Sequence, residues 1–116
     1  MNAQQTIDAL QALAQEHRMA AFRLLVEAGS KGIAAGEIAK ALDIAPATLS
    51  FHLNQLAQAG LVGSRRDGRS IIYAANYAAM DGLLSFLMQN CCRGSGESCA
   101  PLATFGKSGS TTEIEP

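Results

Sequence analysis

At 116 residues, 48% of them hydrophobic and with a net charge of −1, the chain is sized for one small globular domain. That charge balance excludes a protein that holds nucleic acid through overall basicity, so any such contact must rest on local charge. No apolar run approaches the ~20 residues of a membrane span, and Met1-Asn2-Ala3-Gln4-Gln5 lacks the basic-then-apolar order of an export signal, so no membrane partner and a cytoplasmic location are expected.

Ile7, Leu10 and Leu13 recur at helical spacing and predict a short first helix. A second helix is predicted from about Glu16 to Ala28, with Met19, Phe22, Leu25 and Val26 inward, ending at Gly29-Ser30. The loop Lys31-Gly32-Ile33 leads to a third helix, Gly36 to Leu42, with Ile38 and Leu42 inward. The tight segment Asp43-Ile44-Ala45 joins it to a fourth helix with clear punctuation. Pro46 suits the first helical position and Gly60 the left-handed residue just past the end. Leu49, Leu53 and Leu56 share one face of this helix. The opposite face carries Ala47, Thr48, Phe51, Asn54 and Gln55, none of them charged. Solvated helix faces usually carry charge; this one carries the groups that read base edges. Two helices joined so closely suggest a helix-turn-helix.

After Gly60 the pattern turns to strand, Leu61 to Arg66 and Arg69 to Ala74 about Asp67-Gly68, a dipeptide that favours a hairpin with positive φ at both turn positions. Asn76 is placed to cap a last helix from Tyr77 to about Asn90, with Met80, Leu83, Leu84, Leu87 and Met88 as its apolar stripe. Cys91, Cys92 and Cys99 follow in a Gly- and Ser-containing loop. From Gly106 to Pro116 the composition predicts a disordered tail.

The fold class expected is therefore mainly α with a small β-hairpin, a winged helix-turn-helix. Residues 1–92 form the DNA-binding and dimerisation domain, 93–105 a cysteine-containing sensor loop and 106–116 the tail. Thr48, Ser50, Asn54 and Gln55 can hydrogen-bond to bases, and Asn and Gln suit adenine. Phe51 points away from the core, to pack on a thymine methyl or to make a buried lateral contact. His52 sits at the edge of the apolar face, as a DNA contact or as a core histidine bonded to backbone. Arg65, Arg66 and Arg69 cluster at the hairpin to grip phosphate or the adjacent minor groove.

Thr48 to Val62, with Ser50, His52-Leu53, Leu56 and Ala59-Gly60-Leu61-Val62, resembles the signature of the ArsR/SmtB family of metal- and metalloid-sensing repressors. Leu13 to Leu25 resembles the family's second helix and Arg69 to Tyr73 its second wing strand. The resemblance implies a homodimer assembled by the first and last helices and bound to operator DNA. Ile7, Leu10, Met80, Leu83, Leu84 and Leu87 are the candidate seam. A broad apolar stripe on the last helix of so small a domain independently suggests self-association, although the stripe can also serve the protomer's own core.

One sensory site of the family lies at the start of the third helix, where Gly32 to Glu37 hold no thiol. Another lies along the last helix, where only Asp81 is available. The remaining candidates, Cys91, Cys92 and Cys99, resemble the sites of arsenic-responsive members with cysteines at the end of the last helix. Structural zinc needs four ligands, and no tetrahedral set lies locally. Trivalent arsenic (arsenite) takes three sulfurs, and antimonite shares that chemistry. A strained Cys91–Cys92 disulfide is disfavoured, whereas a Cys92–Cys99 or inter-subunit disulfide would make a redox-sensing repressor, and another soft metal is the further alternative ligand. A thiol-relay reductase would need an oxyanion-cradling loop with Cys followed after five residues by Arg, and no cysteine here has it, so no enzyme and no protein substrate are expected. A winged helix that binds only protein is the remaining alternative.

Overall fold

The computed structural model describes residues 1–94. The helices are α1 (Ala3–Leu13), α2 (Glu16–Ala28), α3 (Ala35–Leu42), α4 (Pro46–Gln58) and α5 (Tyr77–Leu87). Strands β1 (Ile33–Ala34), β2 (Val62–Asp67) and β3 (Ser70–Ala75) form an antiparallel sheet in the order β1-β3-β2. The sensor loop and tail expected beyond residue 94 lie outside the described residues.

The core is built by the helical spacing of leucine and isoleucine. Leu25 of α2, Ile38 of α3, Leu49, Leu53 and Leu56 of α4, and Leu61 just after it are all fully buried. Helix α4 stops where Gly60 adopts φ +81°. Its N–H bonds to the Ala57 carbonyl at 2.9 Å and the Leu61 N–H to Leu56 at 3.0 Å, the paired closure that glycine permits at a helix end. Leu61 is thereby thrown into the core and β2 departs from there.

Helix α1 opens with a reciprocal cap. Asn2 Oδ1 accepts the Gln5 N–H at 2.8 Å and Gln5 Oε1 accepts the Asn2 N–H at 2.9 Å. Its inward face is made of small residues, Thr6, Ala9 and Ala12, while Ile7 and Leu10 stay exposed.

Asn76 ties three elements together. Its Oδ1 accepts the Ala79 N–H at 3.1 Å, capping α5, its Nδ2 donates to the Gly60 carbonyl at 2.9 Å, and its N–H donates to the Leu61 carbonyl at 2.8 Å. Tyr77 then donates its hydroxyl to the Val26 carbonyl at 2.7 Å, fixing the start of α5 to the end of α2.

Four sequence expectations are corrected here. Ile33 and Ala34 are a strand, paired with Tyr73 and Ile72, where a plain loop was expected. Asp67 pairs with Ser70, so the central turn residues are Gly68 and Arg69, and of these only Gly68 has positive φ (+65°). That is the pattern of a hairpin turn with glycine at the first central position, not the doubly left-handed turn an Asp-Gly pair suggests. Helix α5 ends at Leu87, short of Asn90, because the Gln89 N–H closes onto Phe86 and the Cys91 N–H onto Met88 in tighter three-residue turns. Met19, expected inward, is exposed.

Gly32 anchors the wing. At φ +76° a Cβ would stand 2.4 Å from the Tyr73 carbonyl oxygen and 2.8 Å from Ile72 Cγ2. Gly32→Ala should therefore lower stability by about 2 kcal/mol or more, combining the left-handed penalty with the clash. Gly36→Ala, where a Cβ meets open space on a helix, should be neutral or stabilising. Denaturant unfolding of the two variants checks the pair.

Candidate nucleic-acid interface and thiol site

The turn before α4 is set by Asp43, which takes a left-handed conformation (φ 54°, ψ 50°). The following Ile44 N–H returns to the Ala39 carbonyl at 3.0 Å. Ala45 offers no side-chain cap to α4, and Pro46 starts it without needing a donor. Ala47, Thr48, Ser50, Phe51 and Asn54 are exposed, with Gln55 half-buried beside them. The structure thus brings the candidate base-reading residues onto one free surface, with one exception.

His52 is that exception and its assignment to DNA is corrected. It is buried. Its Nδ1 lies 3.2 Å from Arg18 Nη1, and its ring centroid lies 5.5 Å from that of His17. Arginine can only donate, so Nδ1 accepts and the ring is neutral with its proton on Nε2. Burial lowers its pKa below the ordinary 6.5, and the charges of Arg18 and His17 lower it further. The partner is a side chain, not the backbone the core alternative assumed. Arg18, to which the sequence assigned no role, also donates from Nε to the Ala12 carbonyl at 2.6 Å. Its own N–H is capped by Gln15 Oε1 at 3.0 Å.

The wing presents its charges unevenly. Arg65 and Arg66 are neighbours on β2 and so point to opposite faces. Arg65 Nη2 donates to the Lys31 carbonyl at 2.8 Å, which folds that side chain back onto the loop before β1. Arg66 and Arg69 are exposed, Arg69 in the turn itself. The bond from Arg65 also brings in Lys31, a cation sequence reading left in a plain loop. Lys31, Arg65, Arg66 and Arg69 against Asp67 leave this corner strongly positive on a chain of net charge −1.

At the far end of α5, Asn90 and Cys92 both adopt positive φ, 58° and 55°. Adjacent side chains on a continuous helix splay by about 100°. Here the left-handed residues turn them together, and the Cys91 and Cys92 Sγ atoms stand 3.6 Å apart. Cys92 is an exposed free thiol, and Cys91 is disulfide-bonded. Among the described residues no three His, Cys, Asp or Glu side chains group as metal ligands. Cys99 lies outside the described residues.

The expected seam residues divide. Ile7, Leu10, Leu84 and Leu87 are exposed and Met80 is half-buried. Leu83 is buried inside the protomer, facing the groove it lines with Phe22 and Leu61, so it is corrected from seam to core.

Comparison with known proteins agrees with this geometry. A family model described as a helix-turn-helix domain matches residues 13–65. The HTH-type transcriptional regulator YgaV of Escherichia coli is 28% identical over 91 residues, covering 78% of this chain and 90% of that protein. The transcriptional activator HlyU of Vibrio cholerae is 24% identical over 92 residues, 79% of this chain and 82% of its own. An ArsR-like transcriptional regulator from Rhodococcus superposes with a TM-score of 0.67 at 24% identity, over 93% of this chain and 95% of the other. The homodimeric winged helix-turn-helix domain of Mb0332 from Mycobacterium bovis gives 0.61 at 24% identity, over 82% and 88%. Over residues 13–65 this chain carries a helix-turn-helix domain, and the relatives it resembles over most of its length are transcriptional regulators. Its fold is that of the winged helix-turn-helix domain of Mb0332 and of the Rhodococcus regulator. No helix among the described residues is long and apolar enough to cross a membrane.

Two outcomes follow for the interface. Because the folded state resists protonating His52, the unfolded chain binds the extra proton as pH falls below about 6.5, and stability should drop from there down through the lowered folded value. His52→Gln should flatten that decline between pH 7.5 and 5.5 in denaturant midpoints, and a wild type indifferent to that interval would contradict the burial of a neutral ring. Arg66→Ala with Arg69→Ala should reduce the salt slope of DNA binding by roughly one unit for each phosphate that is no longer neutralised. Slopes from binding isotherms at several salt concentrations check this; an unchanged slope removes both from the phosphate set.

Proposed function

We propose that this regulator is a dimeric repressor that leaves its operator when trivalent arsenic, or antimony as antimonite, binds the thiolates that Cys91, Cys92 and Cys99 present once the disulfide at Cys91 is reduced. The observation that carries the reading is the 3.6 Å separation of two adjacent sulfurs at the end of α5. Two thiolates each ~2.3 Å from one soft ion, the length of a zinc–thiolate bond, stand roughly 3.4–3.8 Å apart at angles of about 95–110°. The bite fits a thiophilic ion, and Asn90 and Cys92 hold positive φ on either side of Cys91. Soft donors without nearby imidazole favour a soft acceptor over zinc. Cys99, the remaining thiol of the chain, completes a three-sulfur set that matches a three-coordinate pnictogen. When bound, the ion supplies three strong bonds to sulfur; the chain supplies their placement on α5.

Dimerisation is supported by the outward side of α1 and α5. Helix α1 packs on its own protomer through Thr6, Ala9 and Ala12 and leaves Ile7 and Leu10 outward, free for a partner. Leu84 and Leu87 continue that exposed apolar surface along α5. A twofold pair sets two α4 helices about one DNA turn, ~34 Å, apart. A ligand at the end of α5 then acts on the same helix that forms the seam.

The disulfide at Cys91 favours a second reading of this site, in which thiol oxidation is the signal. Reduced protein on promoter DNA separates the two. Arsenite should release the wild type, and Cys91→Ser, Cys92→Ser or Cys99→Ser should each bind DNA normally but resist release by tenfold or more in arsenite concentration. Sulfur coordination around bound arsenic, read by X-ray absorption, should be three. Release by a disulfide-forming oxidant and not by arsenite establishes the redox reading instead, and single variants that dissociate like the wild type refute the three-thiol site.

A further inference from the structure

Phe51 is the most exposed of the large apolar side chains in the described residues, at 58%, and it stands apart from the exposed set on α1 and α5. It lies in the middle of the free face of α4. Its ring is braced edge-on against His52, with centroids 5.5 Å apart and planes at 66°. His52 is itself held by Arg18. An exposed aromatic fixed in this way loses little further freedom when it meets a surface.

Its neighbours on the same ridge sharpen the chemistry. Ala47 and Thr48 lie one turn before Phe51, and Asn54 and Gln55 one turn after it. Ala, the Thr methyl and Phe are the groups that pack on the thymine C5-methyl, and Asn and Gln pair with the adenine edge. The commonest guanine reader is Arg or Lys, and α4 from Pro46 to Gln58 contains no charged residue at all. An apolar ridge ending in amides, with no guanine-reading cation, has one base-pair class to match.

We propose that Phe51, flanked by Ala47 and Thr48, reads a thymine methyl group in each half-site, so that the protein selects A·T pairs by their major-groove methyl. The proposal rests on the DNA-binding reading of α4. It commits the exposed ring to the major groove and not to a second protein surface. Because uracil differs from thymine only by that methyl, the base itself can be the probe.

The experiment uses a high-affinity duplex selected in vitro from a random pool, with each half-site thymine replaced in turn by uracil. Wild type should lose about fourfold in affinity at one position or more, the scale of one buried methyl. Phe51→Ala should bind the thymine duplex more weakly and be indifferent to uracil at that position. Phe51→Leu, which keeps an apolar reach on an exposed site, should retain part of the discrimination and guards against a variant that merely misfolds. Cytosine at that position should weaken wild-type binding, and 5-methylcytosine should recover part of it. Equal wild-type affinity for thymine and uracil duplexes at every position overturns the proposal, as does a uracil penalty of the same size in Phe51→Ala. Failure of the wild type to select any duplex would instead defeat the regulator reading itself, so the two failures are distinguishable.

Discussion

The contact on which the DNA-reading head depends is the one from Arg18 to His52. A guanidinium has five donors in a rigid fork and no acceptor, so each neighbour it bonds must present a lone pair. Here it takes the Ala12 carbonyl at the end of α1 and His52 Nδ1 on α4, while its own backbone N–H is capped by Gln15. One side chain on α2 therefore joins three helices. The orientation of α4 follows. With His52 turned in beside Leu49, Leu53 and Leu56, the opposite face of Ala47, Thr48, Ser50, Phe51 and Asn54 has nowhere to go but outward. A leucine at 52 would fill the space, yet it would take from the half-buried Arg18 one of its two side-chain partners, leaving the Ala12 carbonyl alone.

Much of this architecture was legible in the residues. Pro46 and Gly60 bracket α4, and the leucine spacing orients it, because helix caps and periodicity act locally. The uncharged face and the arginine-bearing hairpin were equally local signals. What escaped were long-range pairings. Ile33–Ala34 is too short to show a strand period and becomes one only by meeting Tyr73 and Ile72. The fate of His52 depended on Arg18, distant in sequence, and that of Arg65 on the carbonyl of Lys31. The hairpin shows a finer limit: Asp67-Gly68 marks a turn correctly, but cross-strand register decides which residues occupy its centre. Cys91 and Cys92 look divergent if α5 is extended through them, and converge only because two residues turn left-handed.

The division of labour along α1 and α5 follows from the protomer's size. A domain this small builds its core mainly from α2, α3 and α4, and α1 adds the buried Thr6, Ala9 and Ala12 with Leu13 packed at the core's edge. Ile7 and Leu10 of the first helix and Leu84 and Leu87 of the last are left facing out. A surface of that kind suits a twofold partner, because the same patch on both copies is self-complementary by symmetry. Leu83 marks the border, since it is covered within the protomer while Leu84 and Leu87 are not.

In the proposed reading, that border is also where events at the end of α5 would pass to α4. Helix α5 does not float on the domain. Its first residues are bonded through Asn76 to the Gly60 and Leu61 carbonyls at the end of α4, and through Tyr77 to Val26 at the end of α2. A shift of α5 must therefore either break those bonds or carry the end of the reading helix with it. Binding linkage then runs both ways: whatever a thiol-directed signal takes from DNA affinity, DNA takes from the affinity for the signal. Moving such an equilibrium from 1:99 to 99:1 needs about 5.5 kcal/mol of differential binding. In the proposed reading, several bonds to sulfur supply that difference from the end of α5.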